Sequence, residues 1–116
     1  MRVIIGGAGR VGIALAKALA DEKYDLVVVD NDSRAVANAH ALDCLVIHGN
    51  ITSRDTLLEA GILNAGVFVA ATPSDEANLI ACSIAEHANK TKDGKDGVTT
   101  IARLKDSTYV LSLIHI

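Results

Sequence analysis

The chain has 116 residues, of which 50% are hydrophobic and only 3% aromatic, so it is long enough for one small domain with an aliphatic core. A net charge of −3 without a basic stripe argues against a nucleic-acid-binding surface, and no apolar run approaches the roughly 18 residues of a membrane span. The two cysteines form no CxxC pair and no signal-peptide pattern is present, so we expect a soluble cytoplasmic domain with reduced thiols.

The first predicted strand, over residues 2–6, runs directly into a glycine-rich turn. The turn reads Gly-Ala-Gly-Arg-Val-Gly over residues 7–12 and opens an apolar helix predicted over 10–21. In a GxGxxG turn, Gly7 allows the tight turn, Gly9 lets a pyrophosphate approach the backbone, and Gly12 lets the helix pack closely. The pattern predicts a phosphate site at the amino end of the helix, where N–H groups carry partial positive charge. The competing interpretation is that the glycines serve only close packing.

The second predicted strand, over 25–29, ends at an acidic residue, Asp30. Its position, roughly 20 residues beyond the glycine turn, completes the dinucleotide-binding fingerprint. The carboxylate is predicted to accept hydrogen bonds from both ribose hydroxyls and, because it repels a 2′-phosphate, to favour NAD over NADP. Arg10 is a candidate phosphate contact or an exposed arginine at a helix start. Arg34 is interpreted as a solvated charge.

The remaining elements alternate helix and strand. Helices are predicted over 33–42, 53–60 and 73–87, strands over 44–48, 67–71 and 98–102, a polar loop over 89–97, and a last helix that barely begins at Asp106 or Ser107. The helix after the fourth strand is expected to have Thr72 as its cap, Pro73 in its first position and Asp75 completing a capping box. The alternation predicts an α/β fold, a Rossmann-like doubly wound parallel sheet of five strands.

The last six residues, 111–116, break the amphipathic pattern. They resemble the translated mosaic-end adapter of transposase-based sequencing libraries, and such segments are excluded from fold reasoning. We expect residues 1–110 to form the nucleotide-binding domain and 111–116 to be a non-native tail, with the sixth strand of a complete fold lost by truncation. The alternative is a genuine apolar terminus. An exposed edge strand would favour aggregation.

Polar residues follow the predicted strands at the carboxyl edge, where such sheets bind ligands. Asn50 is a candidate for hydrogen bonding to an adenine edge or an ordinary turn residue. Arg103 is a candidate phosphate contact or a surface arginine, and Asp75 is interpreted as a cap. Cys44 and His48 share a strand face, but two ligands are too few for a metal site. No acid–base pair is evident, so no catalytic residue is predicted.

Five segments resemble the TrkA N-terminal (RCK/KTN) domain family. They are residues 3–12, 28–32, 48–50, 71–79 and 101–103, and the resemblance covers about residues 1–110. The glycine turn is shared with many dehydrogenases, whereas the Ser-Asp-Glu-Ala-Asn-Leu segment is much less widely shared. Asn50 departs from the family pattern, in which aspartate is usual.

The resemblance implies a regulatory module, not an enzyme, of a Trk/Ktr-type potassium transport system. Such a module senses NAD(H), or ATP and ADP in some members, at the cytoplasmic face of the membrane. It forms homo-oligomeric dimers or rings and gates a membrane potassium transporter or channel subunit through a ligand-dependent conformational shift. The candidate cofactor-binding residues are Gly7, Gly9, Arg10, Val11, Gly12, Asp30, Asn31, Asn50, Ile51, Thr72 and Arg103. The alternative function is the cofactor-binding half of an NAD-dependent dehydrogenase or epimerase.

Overall fold

A computed structural model of the chain describes residues 1–89 and 97–106, which form a five-stranded parallel sheet between two layers of helices. In chain order the elements are β1 (Arg2–Gly6), α1 (Arg10–Ala20), β2 (Asp25–Asp30), α2 (Ser33–Ala39), β3 (Leu45–His48), α3 (Arg54–Glu59), a 3₁₀ turn (Ile62–Asn64), β4 (Ala65–Ala70), α4 (Asp75–Ala88) and β5 (Thr99–Ala102). The strand order is β3-β2-β1-β4-β5, which confirms the predicted doubly wound fold.

The central strands are apolar along their whole length because both faces of the sheet are covered. Successive residues of a strand point to opposite faces, so Val3 and Ile5 of β1 join the cluster under α1 and α2, whereas Ile4 joins the cluster under α3 and α4. Phe68 of β4 is fully buried on the second face. The helices contribute mainly alanines to both clusters, and these small side chains let the helices lie close to the sheet.

The order of the strands reverses at β1. This strand pairs in parallel with β2 on one side and with β4 on the other, so the chain builds one half of the sheet before it crosses back to build the second half. Helices α1 and α2 cover one face, while α3 and α4 cover the other. At such a reversal the loops leave neighbouring strands toward opposite faces and open a crevice at the carboxyl edge. The predicted site residues follow these strand ends.

The start of α4 differs from the prediction. Ser74, not Thr72, caps the helix: its Oγ accepts a hydrogen bond from the N–H of Ala77 at 3.1 Å. The Thr72 hydroxyl is held elsewhere, since it donates to Asn78 Oδ1 at 2.6 Å and accepts from the N–H of Ser74 at 3.2 Å. Thr72 therefore does not cap the helix as predicted, because its hydroxyl is bonded to Asn78, a residue outside the capping-box pattern.

Other boundaries moved by a few residues. α2 is capped by Asp32 and ends at Ala39, and β4 begins at Ala65, directly after the 3₁₀ turn. The helix expected at Asp106 or Ser107 falls largely, and the tail 111–116 entirely, outside the described residues. Among the described residues, no helix combines the length and the apolar character that crossing a membrane requires.

Candidate functional site

The turn after β1 requires glycine at position 7. Gly7 has a φ of +112°, and a Cβ placed there would lie 3.0 Å from backbone atoms of Ala71 and Thr72. Its N–H donates to the carbonyl of Val29 at 2.7 Å. The turn is thus fixed between the ends of β2 and β4.

The packing of the fold requires glycine at position 12 but not at position 9. A Cβ on Gly12 would lie 1.7 Å from the carbonyl oxygen of Gly7, so only glycine lets α1 begin this close to the turn. At Gly9 the backbone is extended, and no described atom beyond its chain neighbours lies within 4 Å of the Cβ position. Packing therefore explains glycine at position 12 but not at position 9, where the open space suits a ligand that approaches the backbone.

The amino end of α1 lacks the side-chain cap that the other three described helices have. Asp32, Ser53 and Ser74 accept backbone hydrogen bonds at the starts of α2, α3 and α4, whereas Gly9 has no side chain to offer. The first turn of α1 contains Arg10 and no acidic residue. A cation at the positive end of a helix dipole is unfavourable in isolation. A bound anion would relieve this, because it accepts from the unpaired N–H groups and attracts the guanidinium.

Asp30 connects the glycine turn to the neighbouring cleft. Its Oδ2 accepts a hydrogen bond from the N–H of Ala8 at 2.6 Å, and its Oδ1 accepts from the N–H of Asp32 at 2.8 Å. The two bonds fix the carboxylate at the end of β2. Because an ionised carboxylate offers about four lone-pair sites, both oxygens keep the capacity to accept from hydroxyl groups of a ligand.

A cleft of about 320 Å³ opens beside Asp30, between the carboxyl ends of β2, β3 and β4. This volume is at the lower end of the range of roughly 300–1,000 Å³ that is typical of small-molecule sites. The structure brings five of the predicted residues together in it. The cleft is lined by Val29, Asp30, Asn31, Gly49, Asn50, Ile51, Thr52, Thr72, Pro73, Ser74 and Ala77.

Asn50 and Thr72, two polar residues of the cleft lining, also make local hydrogen bonds. Asn50 Oδ1 accepts from the N–H and the hydroxyl of Thr52, at 2.9 and 2.7 Å, which is typical of a turn residue. A contact of Asn50 with a base would therefore come from its amide N–H groups. The N–H and hydroxyl of Thr72 both donate to Asn78 Oδ1.

Of the predicted residues Val11, Ile51 and Arg103, the cleft lining includes Ile51 alone. Val11 is exposed in the first turn of α1. Ile51 is 4% exposed and packs against Gly6, where a Cβ would lie 2.8 Å from Ile51 Cγ2, so it belongs to the core as well as to the cleft. Arg103 is not among the residues that line the cleft; its N–H continues the β5–β4 pairing with a bond to Ala70 O at 2.8 Å.

The sequence analysis missed the role of Asn78. Its side chain is fully buried in α4, where it contacts Thr72 and the segment after β5. A signal was present, because Asn78 lies at helical spacing from Ala81, Cys82 and Ala85, which all lie on the buried side of α4. A polar residue on an apolar helix face indicates a side chain with obligatory hydrogen-bond partners. Thr52, Pro73, Ser74 and Ala77 also line the cleft without having been predicted to do so.

The thiols are free and lie away from this site. Burial raises the pKa of Cys82 to about 11, and the nearby carboxylate of Glu86 acts in the same direction. Burial also raises the pKa of Cys44, with a further contribution from Asp43. Among residues 1–89 and 97–106, no group of three or more His, Cys, Asp or Glu side chains is placed to hold a metal ion.

The amino-acid sequence matches a described family and curated relatives. The model of the TrkA-N domain family matches residues 3–115. The Trk system potassium uptake protein trkA homolog 1 of Methanosarcina mazei is 41% identical over 110 residues, which is 95% of this chain and 27% of that protein. The TrkA homolog of Methanothermobacter thermautotrophicus is 52% identical over 83 residues, 71% of this chain and 38% of that protein. The chain thus spans less than half the length of these relatives.

Solved structures share the fold. The TrkA-N domain of the inner membrane protein ybaL from Escherichia coli has a TM-score of 0.84 at 19% identity and covers 98% of this chain and 80% of that one. The Shewanella denitrificans Kef CTD in its AMP-bound form has a TM-score of 0.74 at 25% identity, covering 99% and 65%. The NAD-bound GsuK channel has a TM-score of 0.72 at 18% identity, covering 97% and 20%. By its match over residues 3–115, together with the doubly wound sheet and the glycine turn, the chain belongs to the TrkA-N domain family.

Proposed function

We propose that this chain is the nucleotide-sensing regulatory domain of a Trk-type potassium transport system, with NAD(H) or an adenine nucleotide as its ligand. One observation carries the proposal: the amino end of α1 is uncapped, is open at Gly9 and adjoins the cleft through Asp30. In the proposed pose the phosphates accept hydrogen bonds from the first N–H groups of α1 and contact Arg10. The ribose hydroxyls donate to Asp30, and the base enters the cleft.

The relatives support both parts of the proposal. Those that match most of this chain are named as Trk system potassium uptake proteins. The Kef domain, at 25% identity, was solved with AMP, which supports a ligand that contains adenosine. The NAD-bound GsuK channel supports the fold alone at its 18% identity, so the choice among NAD, NADH, ATP and ADP belongs to experiment.

The chemistry of the cleft favours a sensor over an enzyme. Among the described residues that line it, Asp30 is the single ionisable side chain, and its carboxylate already accepts two backbone hydrogen bonds. Hydride transfer requires a group that orients the reacting carbon and an acid or base beside it. Asp30 is assigned to the ribose, and the cleft lining has no second acid or base for a reacting carbon, so we favour regulation over the dehydrogenase or epimerase alternative.

Regulation in this proposal works by a shift between conformations. The ligand must bind one arrangement of a homo-oligomer more tightly than another, since equal affinity for both shifts nothing. The partner is a membrane potassium transporter or channel subunit, which the domain contacts from the cytoplasmic side. Because the chain spans 27% and 38% of the two relatives, gating is proposed for the longer protein of which this domain is the nucleotide-binding part.

Isothermal titration calorimetry with AMP, ADP, ATP, NAD and NADH tests the proposal. We expect saturable one-to-one binding of at least one of them, with a Kd below about 1 mM, equivalent to roughly −4 kcal/mol. Guanosine diphosphate is the matched control, because it presents the same phosphates with a different base. Failure of all five adenosine compounds to bind contradicts the proposal.

A further inference from the structure

Asn78 links a wall of the cleft to the chain that follows β5. Its Oδ1 accepts from the N–H and the hydroxyl of Thr72, at 3.0 and 2.6 Å, and its Nδ2 donates to the carbonyls of Thr72 and Arg103, at 3.0 and 2.8 Å. These four bonds use the full hydrogen-bonding capacity of the amide. Turning the amide over would place its NH₂ against an N–H donor and its oxygen against two carbonyls, so the partners fix its orientation.

Asp75 holds the same segment at a second point. This carboxylate is 7% exposed, and it accepts from the N–H groups of Lys105 and Asp106, each at 2.9 Å. Upstream, the N–H of Arg103 is bonded to Ala70 at the end of β4. The backbone of residues 103–106 is therefore attached to the first turn of α4 by two buried side chains, Asn78 and Asp75.

Thr72 is part of the cleft wall and also of the hydrogen-bond network of Asn78. It lines the cleft beside Pro73 and Ser74, and it contributes its N–H, its carbonyl and its hydroxyl to Asn78. The hydroxyl has one proton, and of the two acceptors within reach Asn78 Oδ1 at 2.6 Å is nearer than the carbonyl of Ser74 at 3.3 Å. We therefore expect a ligand that restrains Thr72 by contact to restrain Asn78 as well, and through it residues 103–106.

We propose that Asn78 and Asp75 are positioning residues that transmit occupancy of the cleft to residues 103–106, so that bound nucleotide stiffens the segment that leaves β5. The inference rests on the proposed function, since it requires a ligand in the cleft. It makes the first turn of α4 the link between the cleft and residues 103–106, the segment that responds.

Amide hydrogen exchange of the 116-residue chain, with and without saturating ADP or NAD, measures this coupling. At a ligand concentration 100 times the Kd, exchange at Arg103, Lys105 and Asp106 should slow by about 10-fold to 100-fold. Mass action sets the upper limit, which is reached when opening of the segment abolishes binding. The N–H groups of Glu22 and Lys23, which bond to carbonyls at the end of α1, are the internal reference and should not respond.

Two test variants and one control variant separate coupling from folding. Asp75→Asn replaces one of the two carboxylate oxygens that accept from Lys105 and Asp106. Asp55→Asn is its matched control, because Asp55 is an exposed acid in the first turn of α3. Asn78→Asp keeps the acceptor for Thr72 and removes the donor to the carbonyls of Thr72 and Arg103. We expect Asp75→Asn to bind ligand within about threefold of wild type yet to lose most of the exchange response at Arg103, whose N–H bonds to Ala70 and not to Asp75. We expect Asp55→Asn to keep that response.

The outcomes distinguish this inference from the proposed function. Calorimetric binding in wild type without any change of exchange at Lys105 and Asp106 overturns the inference and leaves the nucleotide site intact. A full response in Asp75→Asn also overturns it. If Asn78→Asp does not fold, the Asp75→Asn comparison decides alone. If no nucleotide binds, the proposed function fails and the inference fails with it.

Discussion

Alanine at Gly9 and alanine at Gly12 should have opposite effects on binding and on folding. Both substitutions add one methyl group to the same turn, but the methyl groups enter different surroundings. On Gly12 the added Cβ would lie 1.7 Å from the carbonyl oxygen of Gly7, whereas on Gly9 it meets no described atom within 4 Å beyond its chain neighbours. The pair therefore tests whether the glycines serve packing alone.

The structure sets the expected magnitudes. Relieving the Gly12 clash requires α1 to move by at least about 1 Å, and overpacking of this kind costs about 3 kcal/mol, the upper end of the usual range. At roughly 4 °C per kcal/mol, the Tm of Gly12→Ala should fall by about 12 °C. For Gly9→Ala, the poorer helix start costs about 0.5–1 kcal/mol and the reduced entropy of the unfolded chain returns about 0.4–1 kcal/mol, so the Tm should stay within about 2 °C.

Thermal denaturation and ADP titration of both variants give the answer. Gly9→Ala should lose tenfold or more in ADP affinity, about 1.4 kcal/mol, because the methyl group takes the space of the diphosphate. For Gly12→Ala, measured well below its Tm, the loss of ADP binding free energy should be smaller than the loss of folding free energy. If Gly9→Ala binds ADP like wild type, the reasoning about the open space at Gly9 is refuted.

Three further outcomes follow from the geometry. Asp30→Ala should lower NAD affinity about tenfold or more and reduce the preference for NAD over NADP, since a 2′-phosphate no longer meets a carboxylate. Titration with both cofactors checks this prediction, and an unchanged preference contradicts it. Iodoacetamide at pH 8 should alkylate Cys44 well before the buried Cys82, because the folded-state pKa of Cys82, about 11, disfavours the thiolate. Since that pKa is raised, the contribution of Cys82 to stability is full below about pH 9 and is lost as the pH rises toward 11. Denaturant titrations across that pH range would show this loss. Ser53→Ala removes the cap of α3 and should cost about 1 kcal/mol in denaturant unfolding without altering ADP affinity, and a matching loss of affinity would place α3 in the binding mechanism.

The fold was predictable because its signals are local and repeated. The apolar run of β2, the glycine turn and the alternation of helix with strand each follow from neighbouring residues. The conformational reasons for glycine at positions 7 and 12 also agree with the structure, since a positive φ and a backbone contact explain them. Whether Gly9 and Asp30 hold a ligand stays a prediction.

The start of α4 was not predictable from local patterns. Thr72, Pro73 and Asp75 fit a capping box, but Thr72 is engaged by Asn78 and Asp75 by the chain after β5. Asn78 is six residues from Thr72, outside the capping-box spacing, and the partners of Asp75 come beside it only when β5 pairs with β4. The same contacts place Arg103 beside α4 and outside the cleft lining.

The central claim is that a diphosphate lies against the amino end of α1. Backbone amide chemical shifts followed by NMR during an ADP titration test it most directly. The account predicts that the largest changes fall on the N–H groups of residues 9–12 and on those lining the Asp30 cleft, with adenosine alone affecting the cleft but not the helix start. Saturable shifts that leave residues 9–12 unchanged would contradict it.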